Sequence, residues 1–548
     1  MNQSKVTLLE RWTTGDTPAR PGCYVRPLVD GHTTMLAMCR SFLSAKSYIL
    51  LAAWDIYVHL PLVRGEDAIR GAPDSPQQLE LVKELRDEGL TDEAIALWQS
   101  GRLTVLDVLG FAASHGVRVG VLLWDAFHMG SHLTNDPAAQ RKALIAAGID
   151  CLLDDSSRHI THITQSLHQK CAVIDGKVAY AGGIDLTVEE TGDYDRWDVR
   201  RHPCFNPLRH SEHTPSAHPW HDVHCKIEGP TVTDIQMNIV QRWMDVARRH
   251  HGPDWPGSLS TTPVPEQPGA VTVQMVRTIP PETYHFAPNG IATIFDAYVR
   301  AIRSAQRFIY IENQYLWREV FRGLDSLAWG GKDPRMQQIL DELADALRRG
   351  VRIAIVLPDH PNCGRRFTDD AVTWLREQAL YIGAPDRLHV FTAGNAAGTG
   401  PHMGDIIYRP IYTHGKVMIV DDKWWTAGSA NLNSRGMHSD AELNITVSDE
   451  RSARELRLAL WGEHTQDVRD VDLSRSDPLA GLDLLIRLAE ENREHVMRKE
   501  YVNGHLLPYM TEADGRNLGL PVHAEHGWLD SLDTGAGALP EHRQGRYI

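Results

Sequence analysis

Apolar residues along the chain gather in short runs of strand length, and between these runs apolar positions recur at helical spacing. YILLAAW (48–54), VRVGVLLW (117–124), CAVI (171–174), FIYI (308–311), VRIAIVL (351–357) and VMIV (417–420) are nearly continuous in aliphatic and aromatic residues. Such runs suit strands covered on both faces. ILDELADALRRG (339–350) carries a helical period just ahead of one run. LELVKELRDEGLTDEAIALWQ, within 65–105, reads as two short helices with Thr91 placed to cap the second. Strands alternating with helices predict an α/β fold with mainly parallel sheets.

The same segments occur twice in the same order. AKSYILLAAWDIY from Ala45 matches AQRFIYIENQYLW from Ala305, HGVRVGVLLWD from His115 matches RGVRIAIVLPD from Arg349, and HQKCAVIDGKVAYAGGIDL from His168 matches HGKVMIVDDKWWTAGSANL from His414. Duplication predicts two α/β halves packed as a pseudo-dimer. The first spans 1–250 with the helical insert 65–105, and the second spans 271–475. HGPDWPGSLSTTPVPEQPGA (251–270), with five prolines between 253 and 268, predicts a linker. The segment 476–548 is expected to hold one helix, DPLAGLDLLIRLAEENREHVMRKE, and an irregular tail from 502.

Composition narrows the function classes. The 548 residues are 42% hydrophobic and 23% charged, enough for several cores without covalent staples. Seven cysteines are widely spaced with no CxxC, which argues against a disulfide framework or structural zinc and for reduced thiols. A net charge of −15 works against a nucleic-acid partner, because such binding rests on Lys and Arg displacing counterions. No apolar stretch approaches the roughly 20 residues of a membrane span, and MNQSKVTLLERW has no apolar signal core. A cytoplasmic location is the default expectation, with signal-independent secretion as the alternative.

The third matched segment carries the chemistry. Each copy sets a His and a Lys two residues apart at the head of a strand, His168 with Lys170 and His414 with Lys416. Residues at i and i+2 of a strand share a face. Asp175 and Asp421 fall at the turn between two strands, which makes them turn residues and not catalytic acids. After the second strand come Gly182 and Gly183, or Gly428 and Ser429, where a small residue lets the backbone approach closely. Asp185 and Asn431 follow. Two His and two Lys on converging faces suit an anion, and a phosphoryl group is the natural one.

These residues resemble the phospholipase D superfamily, whose motif His-x-Lys, four residues, Asp, six residues, Gly-Gly/Ser, two residues, Asn is met twice, over roughly 20–470. YIENQY (310–315), RWD (196–198) and HPWHDVHCKIEGPTV (218–232) are similar to the phospholipase D enzymes in particular. The resemblance implies two α/β/α halves with the active site at their interface, and hydrolysis of glycerophospholipids to phosphatidic acid and headgroup, with transfer to alcohols. One motif His attacks phosphorus and the other serves as acid and base; by analogy His168 attacks and His414 protonates the leaving alcohol. Lys170, Lys416 and Asn431 would hold the nonbridging oxygens. The family pattern gives each histidine a carboxylate from the opposite half, which maps onto Asp222 for His414 and Glu442 for His168. Their environments are expected to push the two histidine pKa values apart.

Asp185 departs from the motif's Asn and is expected to turn away, to pair with a cation such as Arg196, or to meet a headgroup. Glu312, Asn313 and Gln314 either satisfy backbone ends or line the headgroup site. Six histidines between 202 and 224 form no recognised ligand set, so no metal and no cofactor are expected. The loop 392–404 is a lid candidate, and Trp317, Trp329, Trp424 and Trp425 are candidates for seating a loop at lipid, although most tryptophans should be core. The chain is expected to act as a monomer on phospholipid at a membrane surface, without a transmembrane segment. Competing readings are a nuclease of the same superfamily and a phosphatidyltransferase of the cardiolipin synthase type.

Overall fold

A computed structural model describes residues 11–125, 135–156, 165–188, 194–210, 217–255, 270–319, 333–361, 363–398, 406–466, 477–523 and 527–532. Two sheets of like topology carry the duplicated segments. The first holds β1 (Arg20–Val29), β2 (Tyr48–Ala53), β3 (Arg118–Trp124), β4 (Asp150–Asp154), β5 (Cys171–Ile174), β6 (Val178–Gly182) and β7 (Val223–Glu228), in the spatial order β1-β7-β6-β5-β2-β3-β4. The second repeats that order with β8 (Val271–Ile279), β9 (Phe308–Glu312), β10 (Arg352–Val356), β11 (Leu388–Gly398), β12 (Val417–Val420), β13 (Trp424–Gly428) and β14 (Glu442–Ser448). β1 and β8 pair across the halves, Arg20 opposite Val273 and Cys23 opposite Val271.

The sheets are mixed, not mainly parallel. Only β2, β3 and β4, and likewise β9, β10 and β11, run parallel to their neighbours; the other pairings of the repeat are antiparallel. The reason is the tight turn after β5 and after β12, which can only join antiparallel strands. Asp175 and Asp421 hold these turns at φ 52 and φ 55. Asp175 accepts from the amides of Lys46, Ser47 and Tyr48, and Asp421 from those of Gln306, Arg307 and Phe308, tying each turn to the start of the central strand.

The inner faces of the two sheets share one apolar core, in which Val173, Ala181 and Cys225 of the first half meet Ile419, Trp425 and Ile445 of the second. Helices Thr231–His250 and Glu450–His464 follow β7 and β14 and add Ile235, Trp243, Leu456 and Trp461 to it. The outer faces have separate cores. The insert holds helices Pro76–Asp87 and Asp92–Gln99, the second capped by Thr91, which accepts from the amide of Ala94.

Three expectations change. Residues 392–398 of the lid candidate belong to β11, paired with Ile406–Pro410, while 399–404 lie outside the described residues. The tail is partly regular: Leu506–Pro508 adds a strand to β11, and Glu512–Leu518 is a helix. Trp317, Trp424 and Trp425 are buried and seat no loop, because their rings fill the core; Trp329 lies outside the described residues, as does 256–269 of the linker. All seven cysteines are free thiols.

Candidate active site

The two His-x-Lys segments enter β5 and β12 from opposite halves and are drawn together where the sheets face each other. Backbone bonds cross between the halves here: the His168 amide donates to the Ala441 carbonyl at 2.8 Å, and the His414 amide to that of His221 at 2.7 Å. The side chains cross in the same way. His168 Nδ1 lies 2.9 Å from Glu442 Oε1, and His414 Nδ1 lies 2.6 Å from Asp222 Oδ2. A carboxylate on Nδ1 fixes the ring and leaves Nε2 for chemistry.

Each lysine curls back on its own histidine. Lys170 Nζ donates to the His168 carbonyl at 2.9 Å, and Lys416 Nζ donates to that of His414. Beyond that the copies differ. Lys170 is paired with Asp185 at 3.0 Å and sits 5.3 Å from the Trp54 ring, whereas Lys416 reaches Gln314 Oε1 at 3.3 Å. Asn431, in the place of Asp185, is buried with no hydrogen-bond partner on Oδ1. Buried polar atoms are rarely left so.

Burial, with the charges of Lys170 and Lys416, pushes the His168 imidazole well below its usual range. Burial, with Lys416 and Arg196, does the same to His414. Both imidazoles are therefore pushed in the same direction, and both feel Lys170 and Lys416. Burial also lowers Lys416 well below the ordinary lysine value and raises Glu442 and Asp222. Aromatic walls flank both rings. Trp220 stacks on Tyr412 at 4.7 Å and lies 4.7 Å from the His414 ring, and Arg196 lies 3.8 Å over Trp220. Trp54 meets His168 edge-on at 5.9 Å.

Close approach explains the small residues after the second strand. A Cβ on Gly183 would stand 2.1 Å from Asp222 Oδ1, and one on Gly428 would stand 2.1 Å from Asn444 Oδ1. A Cβ on Gly182 would meet the His224 backbone at 2.4 Å. Ser429, opposite the longer Glu442, donates its hydroxyl to that carboxylate.

Several sequence candidates fall elsewhere. Asp185 pairs with a cation, as one of its expected fates had it, but the cation is Lys170 at 3.0 Å, and the carboxylate also accepts from the Trp54 amide. Glu312 is fully buried and accepts from His221 Nε2 and His464 Nε2, both at 2.9 Å. Its carboxyl is held low by those histidines against the effect of burial. Asn313 accepts from the amides of Tyr315 and Leu432, a structural role. Gln314 alone of this stretch reaches the site, through Lys416. Of the six histidines between 202 and 224 whose spacing suggested no ligand set, His202 and His221 gather with Asp30 and Glu463, which the sequence did not single out. A second signal was a Glu in the otherwise apolar run FIYIENQY, since a buried charge demands a partner.

The chain is similar to known proteins over most of its length. Residues 41–321 and 407–519 match the family described as phospholipase D, and 298–461 match "Cardiolipin synthase, PLD-like domain". The chain is 25% identical to phospholipase D beta 2 of Arabidopsis thaliana over 90% of its own length, and 26% identical to phospholipase D alpha 1 of Oryza sativa subsp. japonica over 88%. It spans 62% of the first of these relatives and 70% of the second. Among solved structures, a phosphatidylserine synthase of Haemophilus influenzae covers 81% of the chain, and 85% of that protein is covered in turn, at 14% identity and a TM-score of 0.45. No helix among the described residues is long and apolar enough to cross a membrane. The chain belongs to the phospholipase D family.

Proposed function

We propose that this chain is a phospholipase D that cleaves the distal phosphodiester of glycerophospholipids at a membrane surface, releasing phosphatidic acid and the headgroup. The observation that carries the reading is the crossed pair of dyads, each imidazole held at Nδ1 by a carboxylate of the other half. In this reading His168 Nε2 attacks phosphorus, the bond from phosphorus to the headgroup oxygen breaks, and His414 supplies that oxygen with a proton. Water, deprotonated by His414, then attacks the phosphohistidine and frees His168. An alcohol in place of water gives transfer. Lys170, Lys416 and Asn431 hold the nonbridging oxygens and stabilise charge that grows in the transition state. Both imidazoles and Lys416 are held toward their neutral forms by burial, so the substrate's phosphate is the anion that supports the protonated Lys416 and the acid form of His414.

The test is turnover of mixed phosphatidylcholine and phosphatidylethanolamine vesicles with ethanol, without added metal, comparing wild type with His168→Ala and His414→Ala. Phosphatidic acid and phosphatidylethanol are expected, each falling by several orders of magnitude in both variants. A folded wild type that makes neither product overturns the reading and moves the test to nucleic-acid phosphodiesters. The match of 298–461 to "Cardiolipin synthase, PLD-like domain" favours phosphatidyl transfer as the second reading. Cardiolipin formed faster than phosphatidic acid from phosphatidylglycerol vesicles would select it.

A further inference from the structure

Beneath His414 lies a cluster that the phosphodiester reading does not use. Asp30, at the start of helix Asp30–Leu43, His202, His221 and Glu463, from the last turn of Glu450–His464, each bring one atom within 4.8 Å of the others, and all four are buried. His202 Nε2 lies 2.8 Å from Glu463 Oε1 and 3.5 Å from Asp30 Oδ2. His221 Nδ1 lies 2.7 Å from the same Glu463 oxygen and 3.1 Å from Asp30 Oδ1. Each nitrogen carries at most one proton yet faces two carboxylates, and Asp30 Oδ2 is buried with no hydrogen-bond partner.

The far nitrogens matter as much. His202 Nδ1 lies 3.1 Å from Asp198 Oδ2, and His221 Nε2 lies 2.9 Å from Glu312 Oε2. A carboxylate there takes the N–H outward and turns the other nitrogen's lone pair inward, the arrangement of metal-ligating histidines. Both outer carboxylates have their own cation or donor: Arg209 lies 2.7 Å from Asp198, and His464 lies 2.9 Å from Glu312. Asp30 and Glu463 face the two inward nitrogens; with no ion bound, the surrounding carboxylates, against burial, hold both imidazoles toward their protonated forms.

We propose that Asp30, His202, His221 and Glu463 form a structural site for a divalent transition cation of the zinc class. Two imidazoles and two carboxylates suit zinc better than calcium or magnesium, which favour oxygen alone. Tetrahedral bonds of about 2.0 to 2.1 Å need donor atoms roughly 3.3 Å apart. The four nitrogen-to-oxygen separations, from 2.7 to 3.5 Å, need up to about 0.6 Å of adjustment, and the four donor atoms all lie within 4.8 Å of one another. The ion would join Glu463 of the second half to three ligands of the first. It would also steady the His414 dyad without touching substrate, because the Asp30 amide donates to the Asp222 carbonyl at 2.8 Å and the His221 carbonyl accepts from the His414 amide.

The experiment uses the full chain made without a metal-binding tag and does not read lipid turnover, so it stands or falls apart from the proposed activity. Metal content is measured after dialysis against Zn2+, and about one ion per chain is expected. Chelation should lower the melting temperature by at least about 5 °C, with recovery on adding Zn2+. Co2+ put in its place should give the intense visible bands of a tetrahedral site, and His202→Ala should abolish them. Fewer than about 0.1 ion per chain with an unmoved melting temperature would overturn the proposal and leave a lattice held by protons. So would a Co2+ spectrum that is octahedral or shows thiolate bonding, a test that wild type alone answers if the variant does not fold.

Discussion

The two halves repeat one strand order and one motif, yet they furnish their catalytic side chains differently. The second half pairs the longer Glu442 with a hydroxyl from Ser429; the first pairs the shorter Asp222 with Gly183, and the Asp222 carboxylate fills the space a serine Cβ would need. Each half thus matches a one-methylene difference in its carboxylate at the residue that follows the second strand of its hairpin, Gly183 after β6 and Ser429 after β13. The lysines diverge further. Lys170 is neutralised by Asp185 beneath Trp54, whereas Lys416 has Gln314 in the place of Trp54 and Asn431 in the place of Asp185. A duplicated site therefore carries one lysine ion-paired with a carboxylate and one that burial holds toward its neutral form, and symmetry of sequence does not make symmetry of role.

The largest expected effects come from the dyads. Asp222→Asn and Glu442→Gln keep the shape but present a tautomer-blind amide to Nδ1, and each should cost about 10,000-fold in kcat, as when a triad loses its orienting carboxylate. Repeating His168→Ala and His414→Ala with a nitrophenyl leaving group sharpens the comparison. In the first turnover, read as the burst of nitrophenol before water attacks, the histidine that protonates the leaving group becomes partly dispensable, and the nucleophile does not. A burst lost equally in both variants would break the assignment of distinct roles.

Next in size are the lysines. Lys416→Met and Lys170→Met should each slow turnover by about 100- to 1,000-fold. Only Lys170→Met strands a buried carboxylate, so it alone should lose about 3 to 5 kcal/mol of stability, read by denaturant unfolding. Lys170→Met with Asp185→Asn should recover the stability without the activity. Gly183→Ser should come after these, near 100-fold, because the new Cβ displaces Asp222 by the kind of ångström shift that geometry-dependent catalysis does not tolerate. Activity restored by adding Ser429→Gly would contradict this, since the two sites brace different carboxylates.

How much of this was legible follows from the range of each interaction. The duplicated apolar runs predict the repeated sheet order because strand and turn signals are local, and Asp175 and Asp421 announce their turns by the hairpin around them. The parallel expectation erred because an apolar strand reads the same whichever way its neighbour runs. The motif exposed His168, Lys170, His414 and Lys416, since all lie within short segments that repeat. What Asp185, Glu312 and Asn313 contact was not legible, because their partners are set by packing. The Glu312 carboxylate meets a histidine 91 positions away, and His202 meets Glu463 across 261. Spacing along the chain carries no record of such meetings.

The smallest expected effect separates the halves most finely. His168 and His414 have lowered pKa values, so each stays neutral below the ordinary value of about 6.5, and the acid limb of kcat/KM should lie below that pH. The stability sign agrees: the unfolded chain binds more protons below about 6.5, so the stability these rings contribute is present above that pH and is lost as pH falls through it. The charges behind the shifts are ranked differently. After burial, Lys170 acts most on His168, whereas Lys416 acts most on His414. Removing a lysine should move the acid limb upward, toward 6.5. If the limb belongs to a nucleophilic His168, Lys170→Met in the Asp185→Asn background moves it further than Lys416→Met does; if it belongs to His414, the order reverses. A limb that neither variant moves would mean that burial alone sets it, and that the lysines act on the phosphate and not on the histidines.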